Sequence, residues 1–149
     1  MSGAITILLA AAVSPAGLLD AAITVDGADQ RQGEEISMTQ QQDSHGRITV
    51  IRSGTRHHDQ VIQTGADQSI VLEQHGRDHA LASVQTGTGE QLVVRQSGAG
   101  ARADINQAGL RNETVVEQAS GANHASVTQT GNGNRVVIVQ GRPHGAEQP

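Results

Sequence analysis

Eight glutamines recur at every eleventh position of this chain, without one insertion between them. A glycine, or in one unit Ser120 followed by a glycine, stands two residues after each of the first seven. Within each unit the seventh and ninth positions favour apolar residues, and the fifth favours an amide. Such regularity constrains the fold strongly, because every unit must make the same contacts as its neighbours. The glutamines are Gln63, Gln74, Gln85, Gln96, Gln107, Gln118, Gln129 and Gln140.

A period of eleven also suits a right-handed helical coiled coil, so the pattern inside the unit decides between helix and strand. The fifth, seventh, ninth and eleventh positions share a face only when side chains alternate with period two, as in a strand. A glycine in every unit would also cost a helix about 1 kcal/mol each. The repeat therefore predicts β-strands.

Each unit predicts one strand of about six residues and a turn of about four, in which glycine supplies the positive φ of the reversal. Two successive units return the chain to its starting direction. The expected fold is therefore all-β, a two-sheet β-solenoid with coils about 4.8 Å apart and amyloid-like stacking. The predicted turn glycines are Gly65, Gly76, Gly87, Gly98, Gly109 and Gly131.

The predicted core is thin, because it is filled by the seventh and ninth positions of the two sheets. At the seventh position one sheet carries mostly large residues, such as Ile70 and Leu92, whereas the other carries Leu81, Ala103 and Ala125. Large residues opposite small ones fill a two-sheet core without voids. The predicted core residues are Ile70, Leu72, Leu92, Val94, Ile105, Val116, Val127, Val136 and Ile138.

The amides of the repeat also point inward in this register. A buried amide is costly alone, but identical amides on successive coils can bond to each other as a ladder. We expect such ladders from the eight glutamines and from Asn112, Asn123 and Asn134.

The outer surface predicts two further rows on one sheet. Glu73, Arg95 and Glu117 would alternate in charge on neighbouring coils and support the register. A valine at the eighth position fits either lateral contact between fibres or simple β-propensity. These valines are Val71, Val93, Val115 and Val137.

The chain divides into four segments. Residues 1–22 resemble a signal peptide, since 5–13 form a short apolar run, although a buried strand or a misplaced start codon fits the same residues. Residues 23–62 read as degenerate repeats or an N-terminal cap, 63–140 as the solenoid, and 141–149 as a flexible tail. Inside 23–62, residues 48–52 resemble a unit that ends in Arg52, and 36–40 a unit one residue out of phase. Asp59 falls on an inward position, which predicts a slip of register there.

Composition excludes several functions. The chain has no aromatic residue and no cysteine, and its ten basic residues, all arginines, are scattered among fifteen acids. These features argue against nucleic-acid binding and exclude disulfides and thiolate metal sites. The seven histidines show no metal-ligand spacing, and we expect five of them to be solvated turn and surface residues. These five are His57, His58, His75, His79 and His124. No catalytic motif, metal, cofactor or small-molecule substrate is predicted, and the chain is not expected to be an enzyme.

The units 107–118 and 118–129, with the motif Gln-x-Gly-x-x-Asn-x-Ala-x-Val-x-Gln, resemble those of curlins, the subunits of bacterial curli amyloid fibres. The resemblance covers about residues 60–140 and departs at His79, Glu90 and Ala101, which replace the amide. It implies secretion through outer-membrane machinery to the cell surface. It also implies copolymerisation with itself or other curlin-type subunits, and roles in adhesion and biofilm matrix.

The residues themselves favour self-polymerisation, because a repeat without an evident terminal cap leaves an edge that matches its own interior. The alternative is a soluble, capped solenoid that presents the valine row or the turn residues Arg77 and Arg111 to a ligand.

Overall fold

A computed structural model describes residues 6–12, 35–41 and 46–141, and in this part of the chain every regular element is a strand. It therefore contains no helix that could cross a membrane. The strands are β1 (Thr6–Ala12), β2 (Glu35–Gln41), β3 (Arg47–Thr55), β4 (His58–Ala66), β5 (Ser69–Arg77), β6 (Ala80–Thr88), β7 (Gln91–Ala99), β8 (Arg102–Leu110), β9 (Glu113–Ala119), β10 (His124–Asn132) and β11 (Arg135–Gln140).

The strands form two parallel sheets. The first sheet has the order β1-β2-β4-β6-β8-β10 and the second the order β3-β5-β7-β9-β11. From β2 onward, consecutive strands alternate between the sheets, and each pairs with the strand two further along the chain. Gln85 lies beside Gln107, for example, and Gln96 beside Gln118, so equivalent positions on neighbouring coils are 22 apart in sequence. The predicted two-sheet β-solenoid, with two units in each coil, is confirmed.

The hydrophobic core lies between the sheets and consists of aliphatic residues from both. The second sheet contributes Ile70, Leu72, Leu92 and Val94, all at most 1% exposed, and the first contributes smaller side chains such as Ala103. The expected opposition of large and small residues is therefore present. One buried cluster extends from Ile48 to Val127, with Val136 and Ile138 packed partly buried at its end.

The strands are longer than predicted. Most have nine residues, because strand pairing continues through the glycine expected in the turn, as at Gly65 beside Gly87. We call these residues the corner glycines. The positive φ of each corner glycine (122° at Gly65) bends the strand without ending it. A second positive-φ residue follows two positions later and makes the reversal, as Asp67 does with φ of 54°. Each connection between consecutive strands, here called an arch, thus has two residues with positive φ.

The segment before residue 63 continues the coils. Gln40 lies beside Gln63, although the regular spacing of 22 would place residue 41 there. The expected one-residue offset of the 36–40 unit is therefore confirmed. The extra residue falls between Gln40 and Arg47. Arg52 lies beside Gln74, as its place at the end of a unit predicts.

The first described strand, β1, pairs with β2 at the edge of the first sheet. Secretion of the chain under a signal peptide stays a prediction. The end of the predicted signal peptide, residues 13–22, and residues 142–149 of the predicted tail lie outside the described residues.

Candidate functional site

The inward glutamines form two ladders that run along the solenoid. In each ladder the Nε2 atom of one glutamine donates to Oε1 of the glutamine on the next coil, at 2.8–3.0 Å. One ladder joins Gln63, Gln85, Gln107 and Gln129 in the first sheet, and the other joins Gln74, Gln96, Gln118 and Gln140 in the second.

Several of these glutamines use their second N–H to tie the two sheets together. Gln107 Nε2 also donates to the carbonyl of Gln91, and Gln118 Nε2 to that of Arg102, each on the facing strand. The same bond is made by Gln96, Gln129 and Gln140, with distances of 2.9–3.2 Å over the five. A carboxamide has two donors and an acceptor on one group, which is what this position uses.

The fifth-position residues form two columns at the arches. In the column of Gln68, Glu90, Asn112 and Asn134, the amides close their own turn by donating to the carbonyl four residues earlier. Asn134 also donates to Asn112 across the coils, at 3.1 Å. Asn123 lies in the other column, and among the described residues its side-chain amide donates only within its own turn, to the carbonyls of Ala119 and Ser120, because Ala101 stands in the coil before it.

The histidines of that other column are buried, which corrects the expected surface position of His57 and His79. His57 and His79 stack with ring centroids 5.3 Å apart, and both are at most 1% exposed. His79 donates from Nε2 to the carbonyl of His75 and accepts at Nδ1 from the Ala101 N–H, so its neutral form fits the site. His75 and His124 are exposed, as expected. The sequence signal for burial was the fifth position after Gln74, which is the position of the amides in other units.

Burial and the nearby Arg52 guanidinium lower the pKa of His57 to about 4, and burial lowers the pKa of His79. A lowered pKa means that the charged form is disfavoured in the fold. His57 therefore contributes stability that is present above its ordinary pKa of 6.5 and is lost as the pH falls towards 4.

Glu90 is a buried carboxyl in the amide column. Asn112 Nδ2 donates to its Oε1 at 3.3 Å, whereas Oε2 has no partner among the described residues. Burial raises the pKa of Glu90, against the smaller opposing effect of the Asn112 hydrogen bonds. Its charged form is therefore the costly one, and the column tolerates it less well than an amide.

We expect Glu90→Gln to stabilise the protein at pH 7 by about 1–2 kcal/mol, because it replaces a buried charge by an amide like Gln68. Because the pKa of Glu90 is raised in the fold, its charge does not lower the free energy of unfolding of the wild type below the ordinary pKa of 4.5. Above that pH the loss of stability relative to Glu90→Gln grows as the pH rises. Urea unfolding of both proteins across this pH range measures it. The control Glu117→Gln, on the outer face, should change stability by less than about 1 kcal/mol. A Glu90→Gln protein that is less stable than wild type at pH 7 would contradict the assignment.

Asp59 keeps the register of its strand, which corrects the expected slip. It lies beside Leu81 and is fully buried. The carboxylate is compensated by two groups, an ion pair with the buried Arg52 and a 2.8 Å hydrogen bond from Gln74 Nε2. Arg52 occupies the glutamine position of its coil, so its inward guanidinium lies against the inward carboxylate of Asp59. The pair could be found in sequence only by reading Arg52 and Asp59 together as inward positions.

Replacing one partner of the Arg52–Asp59 pair should lower the free energy of unfolding far more than replacing both. Asp59→Leu alone leaves the Arg52 charge buried, and we expect a loss of about 3–5 kcal/mol. The double change Arg52→Gln with Asp59→Leu recreates the pattern of Gln74 and Leu81, and should recover most of that loss. A double-mutant cycle by chemical denaturation measures the coupling. Equal losses in the single and double variants would contradict it.

The outer face of the second sheet carries the expected charged row. Arg95 donates to Glu73 at 3.0 Å and to Glu117 at 2.9 Å, on the coils before and after it. Together with the charged row, Ser97, Ala119 and Val139 line a groove of about 330 Å³. The valines of the neighbouring row are half-buried except at the last coil, where Val137 is 54% exposed.

The last coil ends in two strands that are paired on one side only. β10 closes the first sheet and β11 the second, and no strand of the described residues lies beyond them. Val136 and Ile138 occupy core positions yet remain half-buried, whereas Thr114 and Val116, their partners in β9, are fully buried. Both glutamine ladders also end here within the described chain, at Gln129 and Gln140.

Across the described residues there is no group of three or more metal-ligating side chains. No family model, curated protein or solved structure matches this chain.

Proposed function

We propose that this protein is the structural subunit of a fibre that grows by end-to-end stacking of solenoids. The observation that carries the proposal is the unfinished last coil. Its inner residues are those of an interior coil, but nothing among the described residues covers them. A second molecule that added a coil there would bury Val136 and Ile138 and pair with the open edges of β10 and β11.

The energetics of such a contact favour stacking. Each added coil forms a row of backbone hydrogen bonds along β10 and β11, and edges of this kind pair readily with other strands. Burying the exposed apolar surface contributes about 25 cal/mol per Å². The glutamines add directional bonds that require the same register as inside the molecule, so the contact selects a matching solenoid.

The resemblance of the repeats to curlins extends the proposal to the cell. By that analogy the chain is a bacterial curli-type subunit, major or nucleating, secreted through outer-membrane machinery. It would polymerise at the cell surface with itself or with other curlin-type subunits, and act in adhesion and biofilm matrix.

The test compares two aspartates on the last strand. Ile138→Asp places a charge at the inner face of the growing end, whereas Val139→Asp places the same charge on the outer face, where Val139 is 65% exposed. We expect Ile138→Asp to abolish thioflavin-positive polymerisation and Val139→Asp to leave it nearly unchanged. Circular dichroism of the soluble proteins checks that both keep the solenoid. Equal polymerisation of the two variants would count against stacking through β11.

A binding module is the second candidate, and the groove beside Arg95 is the observation that favours it. In that case the protein stays monomeric at high concentration, and substitutions in the groove alter ligand binding without altering assembly. The exposed turn residues Arg77 and Arg111 would provide further contacts.

A further inference from the structure

The two ends of the solenoid differ in how they are covered. At the C-terminal end β10 and β11 are the edge strands of the described chain, whereas at the other end the described edge strands are β3 and the additional strand β1, which lies along β2. The first sheet accordingly has six strands and the second five. The additional strand β1 lies on the edge that a stacked neighbour would need.

The register shows what β1 does to the glutamine ladder. Ala11 lies beside Gln40, which in turn lies beside Gln63. An incoming β10 that paired with β1 would therefore bring Gln129 against an alanine, which has no amide. An incoming β10 that paired with β2 in the same register would bring Gln129 against Gln40.

We infer that the edge of β2, together with β3, is the docking surface for the C-terminal edge of a second copy of this chain, and that β1 covers half of it. The inference rests on the proposed function. Displacement or removal of β1 exposes an edge with glutamine in the ladder position of the first sheet, so that β2 becomes complementary to β10. In the second sheet β3 offers β11 an open strand edge with Arg52 at the ladder position. In the covered state the chain can attach to a fibre by its C-terminal edge but then presents β1, which ends growth at that side.

A reversible crosslink tests this in the full chain, which contains no cysteine. Ala10 and Thr39 are partners across β1 and β2, and neighbouring strands lie within the range that a disulfide spans. Ala10→Cys with Thr39→Cys therefore locks β1 in place when oxidised. Val84→Cys with Asn106→Cys, partners across β6 and β8 on the exposed face, is the matched control because it locks two strands that never separate.

The opposite variant releases β1. Leu8→Pro combined with Leu9→Pro removes adjacent backbone donors, and one of the two must face β2 because bonding alternates along an edge strand. Sonicated fibres of this variant serve as seeds for all proteins.

We expect the released variant to polymerise fastest. The oxidised lock should elongate seeds at least about tenfold more slowly than the released variant, because one of its two edges cannot pair with the seed. Substoichiometric oxidised lock should also slow elongation by other molecules, and reduction should reverse both effects. The oxidised control should elongate like wild type. If the oxidised lock and the released variant elongate equally, β1 is not a cover and the inference is overturned while stacking stands. If the released variant forms no fibres, the proposed function itself fails.

Discussion

Replacing Gly87 by alanine is expected to destabilise the solenoid by at least about 3 kcal/mol. The added methyl would overlap the carbonyl oxygen of Gly109 on the next coil and lie 2.9 Å from its carbonyl carbon. The backbone at Gly87 also has φ of 130°, a region that L-residues avoid. Both effects act at once, because the corner glycines stack directly on each other.

The control for this change is Gly133→Asn. Gly133 has φ of 67°, which asparagine tolerates, and among the described residues no atom beyond its chain neighbours lies within 4 Å of the position that an added Cβ would take. We expect it to change stability by less than about 0.5 kcal/mol. Chemical denaturation followed by circular dichroism compares the two, and a similar cost at both glycines would contradict the stacked-corner account.

The chain contains its own example of a corner without the glycine. Ser120 stands where the other coils have glycine, and there β9 ends early, at Ala119. The positive φ passes to Ser120 and Gly121 together. A side chain at this position thus breaks the pairing through the corner, as expected for Gly87→Ala.

Val116→Pro is expected to have the second large effect, a loss of about 3 kcal/mol or more together with a failure to polymerise. Val116 is fully buried in β9, which pairs with β7 on one side and β11 on the other. Proline removes a backbone donor from this central strand whichever neighbour it faces. Thermal unfolding and thioflavin kinetics measure the two consequences.

Val116→Ala separates the backbone effect from loss of packing. It keeps the N–H and removes only part of the side chain, so it should cost less than proline and should still permit fibre growth at higher concentration. Unchanged fibre kinetics in Val116→Pro would contradict the strand assignment.

The repeat predicted the fold because its period and its alternation agree. Two units make one coil, so equivalent residues lie on neighbouring coils, and the inward glutamines then fall beside each other, as Gln85 and Gln107 do. Charges on the outer face followed from the same register, and the pair of Arg95 with Glu73 is confirmed. Periodicity of this kind leaves little freedom to the backbone.

The arches could not be predicted in the same detail. The second positive-φ position is occupied by Asp67, Asp78 and Arg111 as well as by glycines, so no single residue type marks it. Nor does local sequence reveal that pairing continues through the corner, because that depends on the next coil.

The predictions for buried polar groups are wrong where a residue departs from the repeat. His79 is not at the surface and Asp59 causes no slip of its strand, because both occupy inward positions of the repeat. Each is accommodated by a partner on another coil or strand, namely the stacked His57 ring and the Arg52 guanidinium. In a solenoid the position in the repeat outweighs the preference of the individual side chain.

X-ray diffraction from aligned assemblies of the purified protein tests the central claim most directly. If solenoids stack end to end, the coils continue through the junction. We then expect a sharp meridional reflection at about 4.8 Å and a broader equatorial one at about 10 Å. The same sample should bind thioflavin and sediment as fibres. A protein that remains monomeric at high concentration, with no thioflavin response and no reflection at about 4.8 Å, would contradict the account.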